Sequence, residues 1–351
     1  MSAGKNHTCL LHRDGTVTAF GFNESDECTI PAPGPDCRHW YTQVSAGFNH
    51  TVLLRNDCSA IAVGSNMYGQ CDIPADDSKY MQVAAGTYCT VLLRLDGQPV
   101  FVGDLCDSVI LPSHKTYTQV SASFEMLCTV SLLCTDGTAV LLQPPQPLAR
   151  TINLYEISRV ADITQVCAGG GHANDGLSYS AVLVHLRRDG TAFACGCNRY
   201  NQCDIPMLED EDVDYTQVST SGHHTVLLRS DGTAVACGFN GYGQCNIPEL
   251  EEGQWYEAAF CGGRHTVLLR SDGEAVAFGD NGYGQCRIPV LSSPLLPGYY
   301  VMQGHRREII YLDAASGPHS WILPRLEGDD AAQQRAATAI PVSDGSGNPS
   351  H

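Results

Sequence analysis

The stretch Tyr41-Thr-Gln-Val-Ser-Ala-Gly47 alternates bulky and polar side chains, and the run that follows, His50-Thr-Val-Leu-Leu-Arg55, is rich in β-branched and aliphatic residues. Both patterns predict short strands, and neither carries a helical period. An Asp-Gly-type corner ends each aliphatic run, at Asp14, Asp57, Asp96, Asp136, Asp189, Asp231 and Asp272, with separations of 43, 39, 40, 53, 42 and 41 residues. A period near 40 residues means a repeat architecture.

Within one copy, Asp231-Gly232 tolerates the positive φ of a tight hairpin turn between the second and third strands. The third strand, Thr233-Ala-Val-Ala-Cys-Gly238, runs into Asn240-Gly-Tyr-Gly-Gln244, and a fourth short strand is expected around Cys245-Asn-Ile247, stopped by Pro248. A sheet of this size buries too little apolar surface to stand alone and must stack on its neighbours. Radial repetition does this with few exposed edges. The pattern therefore predicts an all-β, seven-bladed β-propeller of four-stranded antiparallel blades, with copies near 2–31, 41–74, 80–112, 117–143, 163–206, 215–248 and 256–289. The first copy starts at Ser2-Ala3-Gly4 without the Tyr-Thr-Gln-Val strand. A C-terminal strand, Tyr299-Tyr-Val-Met302, is expected to complete it and close the ring, with Glu308 to Asp313 packed nearby. Residues 314–351 read as a polar tail, largely disordered from about residue 327.

The string Gly262-Gly-Arg-His-Thr-Val-Leu-Leu-Arg-Ser-Asp-Gly273, followed by Gly279-Asp-Asn-Gly-Tyr-Gly-Gln285, resembles the repeat of the regulator of chromosome condensation family. The resemblance spans roughly residues 2–313 and implies the seven-bladed propeller of that family. Several positions depart from the family pattern. Cys28, Cys71, Cys203, Cys245 and Cys286 stand where leucine usually follows Gly-Gln, and Phe20-Gly21, Val63-Gly64 and Cys237-Gly238 replace a Trp-Gly pair. Copy three has Cys89 for the recurrent histidine and Gly103-Asp-Leu-Cys-Asp-Ser108 for the asparagine loop. Copy four has Ser123 for the first glycine and Met126 for the histidine, and copy five carries an insertion from Ala173 to Tyr179. This irregular sector, from about Leu105 to Tyr179, is either a partner surface or a decayed stretch of repeats. The resemblance implies three functions: a non-catalytic protein-interaction scaffold, a guanine-nucleotide exchange factor for a small GTPase, or a substrate-recognition propeller of the kind found in large ubiquitin ligases, here without the catalytic domain. A photoreceptor role like that of the plant ultraviolet-B receptor is not expected, since tryptophan occurs only at positions 40, 255 and 321, and Gly263 stands where that receptor's repeats place one.

Charge narrows the partners. With 20 basic and 38 acidic residues the formal net charge is −18, which opposes nucleic acid and anionic membranes, so neither is expected as a partner. The acid is concentrated in linkers, Glu209-Asp-Glu-Asp-Val-Asp214, Glu249-Leu-Glu-Glu252 and Asp76-Asp77. Asp210, Asp212 and Asp214 alternate like a calcium loop, but Tyr215 and Ser221 stand where its glycine and closing glutamate belong. No metal or cofactor is expected.

There are 17 cysteines but no Cys-x-x-Cys, no apolar leader and no run of 18 apolar residues, which points to the cytoplasm or nucleus. The five recurrent cysteines fall in different blades, too dispersed to pair, and all the cysteines are expected to act as small buried hydrophobes. His7, His50, His172, His224 and His265 share one repeat position, which spaces them around a ring instead of on one ion; His223 should face the other way. No enzyme signature is present, and Gly169-Gly-Gly171 reads as a flexible corner. The expectation is a monomeric, non-catalytic scaffold for a protein partner, whether a small GTPase, a ubiquitin-ligase component or another protein. The partner surface is placed on the asparagine loops of the later copies, at Arg199, Tyr200, Phe239, Tyr242, Asp280 and Tyr283.

Overall fold

The computed structural model describes residues 1–33, 39–104, 111, 115–124, 128–142, 162–172, 179–290, 301–303, 306–313 and 317–322. Among the described residues there is no helix, and every repeat forms one antiparallel sheet of three strands. The first sheet comprises β1 (Ser2–Ala3), β2 (His7–Leu11) and β3 (Val17–Gly21); the second β4 (Tyr41–Ala46), β5 (His50–Arg55) and β6 (Ala60–Gly64); the third β7 (Tyr80–Ala85), β8 (Cys89–Arg94) and β9 (Pro99–Gly103). The fourth comprises β10 (Tyr117–Ala122), β11 (Val130–Cys134) and β12 (Ala139–Leu142); the fifth β13 (Ile163–His172), β14 (Tyr179–Arg187) and β15 (Ala192–Gly196). The sixth comprises β16 (Tyr215–Thr220), β17 (His224–Arg229) and β18 (Ala234–Gly238); the seventh β19 (Tyr256–Cys261), β20 (His265–Arg270) and β21 (Ala275–Gly279).

The middle strands are continuous apolar runs because both of their faces are covered. Leu227 packs with Val182, Val184 and Val218 toward the fifth and sixth sheets, while its neighbours Val226 and Leu228 pack with Ala259 and Leu268 toward the seventh. Successive side chains of a strand point to opposite faces, so a sheet stacked on both sides needs no polar alternation in its centre. The inner strands do alternate, for a different reason. Gln43 Nε2 donates to Val83 O (3.0 Å) and Gln43 Oε1 accepts from Val83 N (3.0 Å), while Ser45 Oγ accepts from Ala85 N (2.9 Å). Gln217 and Ser219 repeat this toward Ala259 and Cys261. Where they are kept, the Gln and Ser positions of Tyr-Thr-Gln-Val-Ser thus bind one inner strand to the backbone of the next, around a central cavity of about 990 Å³; the seventh sheet has Ala258 and Phe260 there instead.

The structure corrects the expected fourth strand. Cys245–Ile247 forms tight turns, with Asn246 N bonded to Gly243 O (3.0 Å) and Ile247 N to Cys245 O (3.0 Å), which uses backbone donors that a ladder would need. Among the described residues each blade therefore has three strands and not four. The expected C-terminal closing strand is also corrected. Val301–Gln303 (β22) pairs with Arg306–Asp313 (β23), which pairs in turn with Gly317–Ile322 (β24), a sheet of its own that extends past residue 313. The inner place in the first sheet is taken by β1, through Ser2↔Cys9 and Ala3↔Thr8. The first and seventh sheets meet directly: Gly263 N donates to Gly4 O (3.1 Å), as Phe48 N does to Gly86 O (3.1 Å) between the second and third, and Met1, Ala3 and Leu10 share a core with Ala258, Val267 and Leu269.

Gly169-Gly-Gly171 is strand and not a corner, paired with Val182, Ala181 and Ser180. A Cβ on Gly169 would sit 2.5 Å from Ser221 O, so the glycine lets this backbone lie against that of the sixth sheet.

The asparagine-loop face

At one end of the sheets, five loops share one internal architecture. Asn240 Oδ1 accepts from Cys245 N (2.9 Å), and Gln244 Oε1 accepts from Tyr242 N (3.0 Å). The asparagine bond recurs at Asn23–Cys28 (2.7 Å), Asn66–Cys71 (2.8 Å), Asn198–Cys203 (2.8 Å) and Asn281–Cys286 (3.1 Å). The recurrent thiol has a role that leucine could not fill: Cys245 Sγ donates to Phe239 O (3.4 Å), and Cys203 to Cys197 O (3.2 Å). Burial pushes these thiols up to about 11 in Cys71 and Cys245 and about 12 in Cys28, Cys203 and Cys286, so they stay protonated at neutral pH.

Beneath the loops, histidines join neighbouring sheets. His7 Nε2 meets Thr51 Oγ1 (3.0 Å), His50 meets Thr90 (3.0 Å), His224 meets Thr266 (2.8 Å) and His265 meets Thr8 (2.9 Å). Each threonine hydroxyl also donates to a backbone carbonyl, as Thr266 does to Gln244 O (2.7 Å) and Thr8 to Gln285 O (2.8 Å). With its one proton committed, the hydroxyl must accept from the ring, which fixes these histidines as neutral Nε2–H tautomers. Burial lowers their pKa to about 3 in His7 and His224 and about 4 in His50 and His265. The Gly-x-x-His spacing has a steric cause: a Cβ on Gly47 would lie 2.8 Å from His50 Cε1. In the sixth sheet Ser221 replaces that glycine and bonds His224 Nδ1 (3.2 Å).

Three sequence expectations change here. His172 does not share this position; Val182 does, opposite Gly196 as His50 is opposite Gly64, because the fifth hairpin is extended beyond the common frame. In copy four the position belongs to Thr129 and not to Met126, which lies outside the described residues: Ser123 N bonds Thr129 O (2.8 Å) as Gly47 N bonds His50 O (2.9 Å). The cysteines are not all isolated hydrophobes. Cys89, at the histidine position of the third sheet, is disulfide-bonded to Cys128 of the fourth, across a seam where Val130 replaces the accepting threonine.

The loop side chains form chains of rings across the seams. Tyr200 lies 5.0 Å from Phe239 and stacks on His223 at 5.8 Å, and Phe239 meets Tyr242 at 6.0 Å. Arg199 sits over Tyr200 (5.6 Å); Arg264 sits over Tyr242 (5.3 Å) and donates to its hydroxyl (2.9 Å). Four of the six expected surface residues, Arg199, Tyr200, Phe239 and Tyr242, are therefore contiguous. Tyr283 instead meets Phe22 of the first sheet (5.0 Å), and Asp280 accepts from Gly282 N (3.0 Å) inside its own loop. Sequence reasoning missed Arg264 and the exposed Tyr68, whose ring lies tilted against that of Tyr88 at 4.4 Å. His223 does face away from His224, which is fully buried.

The opposite, hairpin end carries the acid. Asp231 Oδ1 there accepts from Thr233 N (2.8 Å), and the run Glu209–Asp214 lies alongside: Asp214 N bonds Ser230 Oγ (3.0 Å), while Glu209 and Asp210 line a small cleft with Arg229 and Asp231. Among the described residues no group of three or more metal-ligating side chains occurs, and no helix is long and apolar enough to cross a membrane.

The sequence profile of the Regulator of chromosome condensation (RCC1) repeat matches residues 1–26, 215–244 and 258–285, within the first, sixth and seventh sheets. No curated protein matches the chain. Among solved structures, yeast RCC1 (Prp20) bound to Kap60 superposes with a TM-score of 0.59 at 14% identity, covering 84% of this chain and 82% of that one. The structure of Prp20p from Saccharomyces cerevisiae, a protein described with binding properties to Gsp1p and histones, gives 0.59 at 14% identity over 84% and 85%. The ectodomain of the receptor kinase CR4 from Physcomitrella patens gives 0.58 at 15% identity over 79% and 71%. By its repeats and its propeller-like, all-β fold, this chain is similar to the regulator of chromosome condensation repeat proteins and carries their repeat in at least three of its seven units.

Proposed function

We propose that this chain is a non-catalytic protein-binding propeller whose asparagine-loop face holds the partner. One observation carries this: Tyr68, Tyr242 and Tyr283 are 48%, 45% and 53% exposed, yet each rests on a turn locked by side-chain bonds to the backbone. Rings held in place while exposed offer contact area at little entropic cost, which is how aromatic residues come to dominate protein interfaces. The protonated buried thiols and the buried imidazoles committed to threonines support a reading without catalysis. The chain is read as a monomer outside membranes.

The test is affinity capture with the wild-type protein beside a variant carrying Tyr68→Ala, Tyr242→Ala and Tyr283→Ala, with nucleotide release from a panel of small GTPases measured on both. The proposal expects partners bound by the wild type and lost by the variant, with no accelerated release. Partners retained by a folded triple variant would contradict it, and accelerated release would replace it with an exchange activity.

A further inference from the structure

We infer that the part of this face running from Arg199 to Arg264 fits an acidic segment of a partner protein; the inference rests on the face-binding proposal and adds the partner's chemistry. The path Arg199–Tyr200–Phe239–Tyr242–Arg264 is continuous, with a guanidinium at each end and His223 stacked beside it. In a chain with 38 acidic residues, exposed arginines are expected to find carboxylates, and Arg270 does, bonding Asp272 (2.7 Å) and Glu274. Arg199 and Arg264 have no carboxylate within ion-pair distance among the described residues; both are held against tyrosine rings instead.

A guanidinium stacked on a ring keeps its N–H edge open and loses little freedom when it then binds a carboxylate through two parallel bonds. Two acids lie in the same loops, and neither pairs with Arg199 or Arg264: Asp204 Oδ1 accepts from Asn198 Nδ2 (2.7 Å), and Asp280 Oδ1 accepts from Gly282 N. The net charge of −18 does not forbid an acidic ligand here. The acidic runs flank the hairpin end, and the six residues of β17 between the two ends span about 17 Å, roughly two Debye lengths at physiological salt. The cations within the path itself are the guanidiniums of Arg199 and Arg264, neither of them paired with a carboxylate among the described residues. The rings between the arginines select acidic residues interleaved with aromatic or long aliphatic ones.

The experiment is fluorescence anisotropy at 150 mM salt with two labelled ten-residue peptides, one alternating Glu and Trp and one alternating Lys and Trp. The acidic peptide is expected to bind, the basic one to bind at least tenfold more weakly, and Arg199→Ala with Arg264→Ala to weaken the acidic peptide by roughly tenfold, the effect of two partly exposed charge contacts. Restoring charge with Arg199→Lys and Arg264→Lys should recover part of the loss. Equal binding of both peptides, no measurable binding of the acidic one, or indifference to the double alanine variant overturns the inference. Should the basic peptide bind and be released by Tyr200→Ala with Tyr242→Ala, the face remains a partner surface while its preference for acid is refuted.

Discussion

His265 of the seventh sheet reaches Thr8 of the first, Nε2 to Oγ1 at 2.9 Å, across 257 positions of sequence. The bond is the same one that joins His7 to Thr51 and His50 to Thr90 between sheets adjacent in sequence. The contact between the last and first sheets thus uses the same His–Thr bond as three contacts between sheets adjacent in sequence, with the N-terminal residues of the first copy supplying the threonine.

Thr8→Val keeps the shape and removes the hydroxyl. It leaves the His265 Nε2–H and the Gln285 carbonyl buried without their partner, which costs about 1–3 kcal/mol per unsatisfied group. Thermal unfolding should show the variant melting several degrees below the wild type, while Thr16→Val on an exposed hairpin should melt close to it. An unchanged melting temperature for Thr8→Val would mean that this seam contributes nothing.

Acid should loosen the whole assembly. Burial holds His7, His50, His185, His224 and His265 at about 3 to 4, against 6.5 for the free side chain. Below pH 6.5 the unfolded chain takes up protons that the folded chain refuses, so stability is intact above that pH and falls as the pH drops toward 4. The slope approaches about 1.4 kcal/mol per pH unit for each histidine. Chemical denaturation at pH 7 and pH 5 measures this, and His50→Gln should flatten the dependence by close to one proton. A stability that rises on acidification would contradict the buried neutral histidines.

Cys89 and Cys128 should be found linked when tryptic peptides are mapped without reduction. The bond closes a loop of 39 positions, for which chain entropy suggests about 4 kcal/mol of stabilisation, so Cys89→Ser should lower the unfolding midpoint measurably under oxidising conditions and little under reducing ones. Two free thiols in oxidised protein would refute the link.

Asn240→Ala should disorder one loop without unfolding its sheet. It removes the acceptor of Cys245 N and the partner of Asn246 Oδ1, at a cost of about 1–2 kcal/mol, and frees Tyr242 from its fixed turn. Hydrogen exchange should quicken at residues 240–246 while the middle strand 224–229 stays protected. Exchange that quickens equally in both would show that the loop and the sheet are one unit.

Much of this was legible because the repeats state each position several times. The asparagine loops, the hairpin corners and four of the five expected histidines lie where the recurring frame puts them. Errors arose where a copy breaks the frame. Extra residues lengthen the fifth hairpin and the turn before β11, so counting three residues on from the glycine or its replacement lands on His172 and Met126 instead of Val182 and Thr129. Cys245–Ile247 has strand composition, but its donors are spent locally on turns, a competition that composition does not reveal. Arg264 was missed because the residue before the histidine is not fixed by the repeat, being Asn6, Asn49, His223 or Arg264, and its value comes only from the tyrosine that a neighbouring sheet places beneath it.

The claim that the loop face holds the partner is tested most directly by capturing partners in parallel with three folded proteins: the wild type, a loop-face variant with Tyr200→Ala, Tyr242→Ala and Arg264→Ala, and a hairpin-face variant with Trp40→Ala and Trp255→Ala, whose rings are 46% and 42% exposed at the other end. The account predicts that partners bound by the wild type persist with the hairpin-face variant and disappear with the loop-face variant. Partners that persist with the loop-face variant and disappear with the hairpin-face one would contradict it.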